Sequence, residues 1–160
     1  MDVLGVHVPE LGHNPTAEVC HSFVYRYLIA KGNITGKLRH DPLLNLMTVD
    51  AEFLYGNGGQ PARTGRQMRA PVGSIIVFRD VGNRLQHSMI AINSNCWIGA
   101  NNTGCFGVAG GRQTIVNVNS KLYSDAPKSF GWNGDDNLFD LGTVGVLTVS
   151  YIDPPIIHYL

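Results

Sequence analysis

Apolar residues recur at helical spacing near the beginning of the chain. Cys20, Phe23, Val24, Tyr27 and Leu28 follow the spacing i, i+3, i+4, i+7 and i+8, so a helix would carry all five on one face. A face of this composition is buried in a globular protein. The pattern therefore predicts a helix whose opening turns place Cys20 on the buried side.

Both ends of this helix carry recognisable signals. At the beginning, either Asn14 caps the helix with Pro15 as its first residue, or Thr16 is the cap. At the other end, Lys31 complements the helix dipole and Gly32 supplies the residue that most often closes a helix. The predicted helix therefore lies between residues 14 and 32.

A second, weaker helical pattern spans Pro42 to Tyr55, and a glycine-rich stretch follows it from Gly56 to Pro71. This stretch carries Arg63, Arg66 and Arg69 and no acidic residue. It is interpreted as a flexible loop. It could be a lid or an anion-contacting rim, but a solvated surface loop is the preferred interpretation.

From residue 74 onward the pattern changes to short β-like segments separated by Gly, Asn and Asp. Five segments show it: residues 74–79, 87–93, 95–101, 112–119 and 143–152. One or two helices followed by about five strands predict an α+β fold with a mostly antiparallel sheet. The acidic stretch Gly131 to Asp140 is interpreted as a polar loop entering a short helix, and the whole chain, residues 1–160, as one domain.

Composition excludes some classes of partner. Twelve basic and twelve acidic side chains cancel, so no general attraction to nucleic acid or to an anionic membrane is expected. No apolar run reaches the roughly 18 residues that a membrane span needs. The first ten residues lack a basic region followed by a long apolar stretch, so no Sec signal peptide is expected. The protein is expected to be made in the cytoplasm.

Cys20 and His87 are the residues with the clearest chemical potential. A thiol near a helix N-terminus feels the positive end of the dipole, and an adjacent imidazole would stabilise its thiolate. That is what a cysteine nucleophile requires. The alternative interpretations are a plain core cysteine and a structural histidine. Alternation in the strand places His87 and Met89 on one sheet face and Ser88 and Ile90 on the other.

Three strings around these residues resemble a known family. C-H-S-F-V at Cys20 resembles the element around the nucleophile of NlpC-type and CHAP-like papain-fold cysteine hydrolases. P-V-G-S-I-I-V-F at residues 71–78 resembles the strand leading into their catalytic hairpin, and H-S-M-I-A-I-N at His87 resembles their strand that begins with the general base. The order of the three strings also matches. The resemblance implies a papain-like domain with the N-terminal helix packed on the sheet.

The resemblance also implies site residues. Cys20 would be the nucleophile and His87 the general base. Gly99 falls at the position of the third residue, which orients the imidazole, and glycine cannot serve. Asn101 is the nearest substitute, since asparagine can accept the imidazole N–H. The remaining alternatives are the following: Asn93, Asn102 and Asp140.

As to function, the resemblance implies cleavage of an amide in peptidoglycan stem peptides by an antibacterial effector, similar to those delivered by type VI secretion. Such an effector would act in the periplasm of the target cell and have an immunity protein as partner. One alternative is a papain-like effector that acts on a host protein as a protease or as a glutamine/asparagine deamidase. Another is a non-catalytic β-rich binding module. No cofactor is expected.

The remaining cysteines and histidines suggest less. Cys96 and Cys105 could form a disulfide in an oxidising compartment or could both stay reduced. The histidines show no zinc-binding spacing, so no metal site is expected. His21 is next to the cysteine but points about 100° away around a helix. It is therefore interpreted as a surface or rim residue.

Overall fold

A computed structural model describes residues 2–8, 19–37, 48–56, 58–64, 67–93, 96–100, 113–116, 130–132, 137–141 and 145–160. These ranges contain two helices and a mostly antiparallel arrangement of strands. The helices are α1 (Val19–Lys31) and α2 (Thr48–Tyr55). The strands are β1 (Asp2–Val3), β2 (Val6–His7), β3 (Ile34–Gly36), β4 (Gln60–Pro61), β5 (Arg63–Thr64), β6 (Gln67–Met68), β7 (Ile75–Arg79), β8 (Leu85–Asn93), β9 (Cys96–Ala100), β10 (Gln113–Val116), β11 (Phe130–Trp132), β12 (Leu138–Leu141), β13 (Val146–Ile152) and β14 (Ile157–Tyr159).

The largest sheet has eight strands, seven of them in the order β10-β9-β8-β7-β13-β12-β11, while β4 also pairs with β13. Its neighbouring strands run antiparallel. The pair β14–β3 is parallel and forms a separate small sheet. The predicted mixture of helices with a mostly antiparallel sheet is therefore confirmed.

Helix α1 is buried more completely than its sequence pattern indicates. The predicted apolar face is confirmed, and the residues between its members are buried as well, so every residue from Cys20 to Leu28 is buried. The predicted end is also confirmed. Gly32 has a left-handed φ of 87° and donates to the Ile29 carbonyl, while Asn33 donates to the Leu28 carbonyl. These two bonds form a Schellman motif. The predicted caps, Asn14 and Thr16, lie outside the described residues.

The large sheet carries a separate apolar cluster on each face. On the helix face, Ile75, Val77 and Ile90 pack in one cluster with residues of α1. On the opposite face, the ring of Phe78 lies 6.2 Å from that of Trp97 and 6.1 Å from that of Phe139, measured between centroids. Burial on both faces explains why β7 is apolar almost throughout instead of alternating.

The C-terminal part of the sheet differs from the prediction. The sheet has more than the expected five strands, because β11 and β12 also belong to it. The interpretation of Gly131 to Asp140 as a loop entering a short helix is wrong for its described residues, since Leu138–Leu141 is a strand paired with β13. Phe139 is fully buried on the Phe78 side, and this contact stabilises an extended segment.

The arginine-bearing stretch is more ordered than a solvated loop. It contains β4 and the hairpin of β5 and β6. Arg63 is only 1% exposed, so its interpretation as a solvated residue is wrong. The side chain of Asn137 holds its backbone, accepting from the Arg63 N–H at 2.8 Å and donating to its carbonyl at 2.9 Å. Arg69 is exposed, as predicted, and Arg66 lies outside the described residues.

No helix within the described ranges is long and apolar enough to cross a bilayer. The second helix, α2, begins at Thr48, and residues 42–47 of its predicted range lie outside the described residues. It contacts strand β8, so both helices pack close to the same strand.

The left-handed residue at the end of α1 gives the first prediction. Replacing Gly32 with Ala should lower the free energy of unfolding by about 1 kcal/mol, because a Cβ disfavours the left-handed conformation. Urea denaturation measures the change. Gly58→Ala is the matched control, because Gly58 has no left-handed φ and no heavy atom lies within 4 Å of its added Cβ. Equal destabilisation by both substitutions would contradict the role given to Gly32.

Candidate functional site

Cys20 is the second described residue of α1, within the opening turns in which the prediction placed it. A thiol in the opening turn of a helix is close to the positive end of the helix dipole. Its exposed fraction is 0%. The position therefore suits a nucleophile, whereas a substrate carbonyl cannot reach the sulfur in the described conformation.

Three further polar side chains lie beside this turn. His21 Nδ1 and Ser88 Oγ share a hydrogen bond of 2.8 Å that joins α1 to β8. The Tyr55 hydroxyl, at the end of α2, lies 3.4 Å from the same Ser88 oxygen. Cys20 is close enough for its charge to affect Tyr55. We call Cys20, His21, Tyr55 and Ser88 the Ser88 cluster.

Burial controls the protonation of this cluster. Removal from water and, to a smaller extent, the nearby His87 together lower the pKa of His21 to about 3. Burial also raises the pKa of Tyr55 well above its usual value, with the Cys20 charge adding to this effect. Imidazole and phenol are therefore neutral at physiological pH. A Ser hydroxyl can donate one hydrogen bond while accepting another, so Ser88 can serve both neutral partners at once.

His87 is buried on the other face of the sheet. Ser88 faces α1, so alternation directs its neighbour away from the helix. His87 pairs directly with Phe78 in the sheet register, and their ring centroids are 5.3 Å apart. Burial lowers the pKa of His87 to about 4. The structure therefore brings His21, rather than His87, to the side of the sheet on which Cys20 lies.

The third predicted site residue, Asn101, lies outside the described residues, as does Asn102. Gly99 is within β9, and a Cβ built there would approach Met89 Cγ at 3.1 Å and the Ser88 carbonyl oxygen at 3.3 Å. A side chain at this position would therefore have to displace Met89 by a few tenths of an ångström. Asn93 and Asp140 belong to β8 and β12, respectively.

The described residues contain no cluster of three or more His, Cys, Asp or Glu side chains that could hold a metal ion. Cys96 begins β9, while Cys105, its proposed disulfide partner, lies outside the described residues.

The interpretation of His21 as a surface or rim residue is wrong, since it is 1% exposed and hydrogen-bonded inside the protein. The helical wheel did place it off the main apolar face, but that side of α1 is buried too. One signal in the sequence could have identified its partner. Ser88 is a polar residue on the otherwise apolar face of β8 that packs against a helix, and such a residue needs a hydrogen-bond partner.

Fold and site together define an α+β protein with a buried thiol, imidazole and two hydroxyls at the beginning of a helix. No family model matches the chain, and no curated protein or solved structure is significantly similar to it. The resemblance to papain-fold hydrolases therefore stays a prediction.

The buried imidazoles predict acid sensitivity. His21 and His87 have folded-state pKa values of about 3 and about 4, below the ordinary 6.5. The unfolded chain therefore binds protons that the folded chain does not. The part of the free energy of unfolding that comes from keeping these imidazoles neutral should be fully present above pH 6.5. It should be lost as the pH drops toward 4, at up to about 1.4 kcal/mol per pH unit for each imidazole.

Urea denaturation between pH 6 and pH 5 measures this slope. His87→Leu should reduce the slope by about 1.4 kcal/mol per pH unit, because one of the two titrating groups is removed. His7→Gln is the control, since His7 is exposed. A slope unchanged by His87→Leu would show that His87 is not buried in its neutral form.

Proposed function

We propose that this chain is a papain-like cysteine hydrolase, one domain over residues 1–160, that cleaves an amide bond with Cys20 as its nucleophile. The observation that carries this proposal is the Ser88 cluster. Polar and titratable groups buried inside an apolar core cost free energy, and titratable groups with shifted pKa values concentrate at functional sites. Here they collect around a thiol in the first turn of a helix.

The position of Cys20 on α1 supports two parts of the mechanism. The helix dipole favours the thiolate over the thiol. In the proposed mechanism the backbone N–H of Cys20, in the opening turn of α1, donates to the oxyanion that forms when the sulfur attacks a substrate carbonyl.

The proposed reaction has two steps. The Cys20 thiolate adds to the carbonyl carbon, and the intermediate collapses to a thioester while the imidazolium gives its proton to the leaving amine. The same imidazole then takes a proton from water, and the resulting hydroxide displaces the sulfur to release the acid. The resemblance assigns this imidazole to His87, with Asn101 orienting it.

Activity on this scheme requires a conformation more open than the described one and, with His87 as the base, one in which its imidazole reaches the Cys20 side of the sheet. A buried imidazole with a pKa near 3 or 4 is a weak base at neutral pH. Contact with water would return its pKa toward 6.5, the range in which acid–base catalysis is efficient. His21 is a second candidate for the base, because it lies on the Cys20 side of the sheet.

The proposed substrate is an amide of a peptidoglycan stem peptide, and the proposed context is an antibacterial effector that reaches the periplasm of a rival cell and is neutralised by an immunity protein. This part of the proposal is supported by the resemblance around Cys20, residues 71–78 and His87.

A non-catalytic binding module is the second candidate, and two observations favour it. Cys20 has no exposed surface, and His87 packs against Phe78 on the face away from α1. In this interpretation the Ser88 cluster serves only to fix α1 on the sheet.

Digestion of purified peptidoglycan, followed by mass analysis of the fragments, tests the hydrolase proposal. Cys20→Ala should reduce fragment release by about 10³-fold or more, since loss of a nucleophile removes the covalent step. His87→Gln should reduce it by about 10² to 10⁴-fold. His7→Gln should leave it unchanged, and His21→Gln identifies the base if it has the larger effect. Equal fragment release by wild type and Cys20→Ala would falsify the role of Cys20.

Alkylation of the native protein with iodoacetamide separates the two candidates. An activated Cys20 should be labelled rapidly below pH 7, with the modified cysteine identified by peptide mass mapping. In a binding module, Cys20 should be labelled only after denaturation, at every pH. Ser88→Ala is a useful companion variant, because it removes the link between α1 and β8 and should increase labelling of a thiol sealed by that link.

A further inference from the structure

A pocket of about 280 Å³ lies where β4, β13 and the end of β7 meet. The residues used below line it: Gly59, Arg79, Asn83, Thr148 and Ser150. Thr148 is directly opposite Arg79 in the sheet register, and Ser150 is opposite Val77, which packs in the cluster on the helix face. Residues directly opposite each other on antiparallel strands share a face, so both hydroxyl-bearing residues lie on the same face as Arg79.

Arg79 brings a positive charge to this pocket. Its exposed fraction is only 5%. Its Nη1 donates to the Asn83 carbonyl at 3.3 Å, and its Nη2 donates to the Gly56 carbonyl. These two carbonyls hold the guanidinium at the pocket wall and leave three of its five N–H groups for other partners.

The charge of Arg79 has no close counter-ion. Within the described part of the chain, no carboxylate lies within 4.0 Å of the guanidinium. Glu52 is near enough to act on it electrostatically, but one Glu52 carboxylate oxygen accepts the Leu85 N–H at 2.9 Å. A buried cation without an ion-pair partner costs free energy, and a bound anion would offset that cost.

We propose that this pocket binds the carboxylate of a small molecule or of a peptide chain end, with Arg79 as its counter-ion and the hydroxyls of Thr148 and Ser150 as further hydrogen-bond donors. The site is independent of the role of Cys20. Gly59 belongs to it sterically, because a Cβ there would come within 2.7 Å of Ser150 Oγ and would push that hydroxyl aside.

Charge and size select a carboxylate. One guanidinium can balance a single negative charge, whereas a phosphate dianion would leave excess negative charge in a largely buried site. A planar carboxylate also matches two parallel N–H groups of a guanidinium. The volume lies just below the usual range for ligand pockets, which suits a ligand the size of an amino acid.

Titration of the full chain with three probes tests the proposal: N-acetylalanine, N-acetylalanine amide and inorganic phosphate. Isothermal titration calorimetry should show saturable binding of N-acetylalanine. NMR spectra should show that this ligand shifts the backbone amide resonances of residues around the pocket. The neutral amide should bind at least ten times more weakly, and phosphate no more tightly than the amide. Equal binding of acid and amide, or tighter binding of phosphate, would overturn the proposal.

Arg79→Gln should weaken N-acetylalanine binding at least tenfold. Arg84→Gln is the matched control, because Arg84 is an exposed arginine in the turn that follows β7 and should leave binding unchanged. Loss of binding in both variants would contradict a specific role for Arg79.

Thr148→Trp tests the same pocket while leaving Arg79 in place. Thr148 is exposed on β13, and an aromatic residue suits a strand, so the variant should fold normally while its ring fills the pocket. Binding of N-acetylalanine should be lost in this variant. Retained binding at wild-type affinity would overturn the proposal even if Arg79→Gln did not fold.

Discussion

The hydrogen bond between His21 and Ser88 fixes the way in which α1 meets the large sheet. Apolar contacts between helix and sheet are not directional, so they allow small rotations of the helix. A buried imidazole and a buried hydroxyl allow far less, because each would lose its partner and neither could turn to water. With His21 held by β8, the first turn of α1 and the Cys20 thiol have a defined position.

The same constraint shapes the candidate site. The Tyr55 hydroxyl reaches Ser88 from α2, so one hydroxyl on β8 links both helices to the sheet. Burial keeps these groups neutral and keeps the thiol away from solvent. A site arranged in this way is stable and unreactive until it is opened. The hydrolase proposal therefore depends on a conformational step, whereas the binding-module alternative needs none.

The parts of the fold that the sequence predicted are those that local spacing determines. The helical period through Cys20 and Leu28 predicted the buried face of α1, and Gly32 predicted its end. Runs of apolar residues predicted β7, β8 and β9. Strand β12 was missed because the sequence around it resembles a polar turn. What stabilises it as a strand is the packing of Phe139 near Phe78, a contact between residues about sixty positions apart that local spacing does not reveal.

The candidate site was harder to predict, since it depends on which sheet face meets the helix. Alternation correctly separated His87 from Ser88, but it could not say which of the two faces α1. In the fold, Ser88 pairs with Val77, which packs in the cluster on the helix face, and His87 pairs with Phe78 in the cluster on the opposite face. Burial on every side of α1 is likewise a property of the whole fold, so the helical wheel misplaced His21.

Titration of the His21 imidazole by NMR tests the central claim most directly. The resonance can be assigned by comparison with His21→Gln, and its ring carbon shift can be followed as the pH is lowered. His21 should stay neutral throughout the range in which the protein is folded, down to pH 4 or below. Protonation of His21 in the folded protein with a midpoint near 6.5 would show that it is hydrated and not held by Ser88, and would contradict the account.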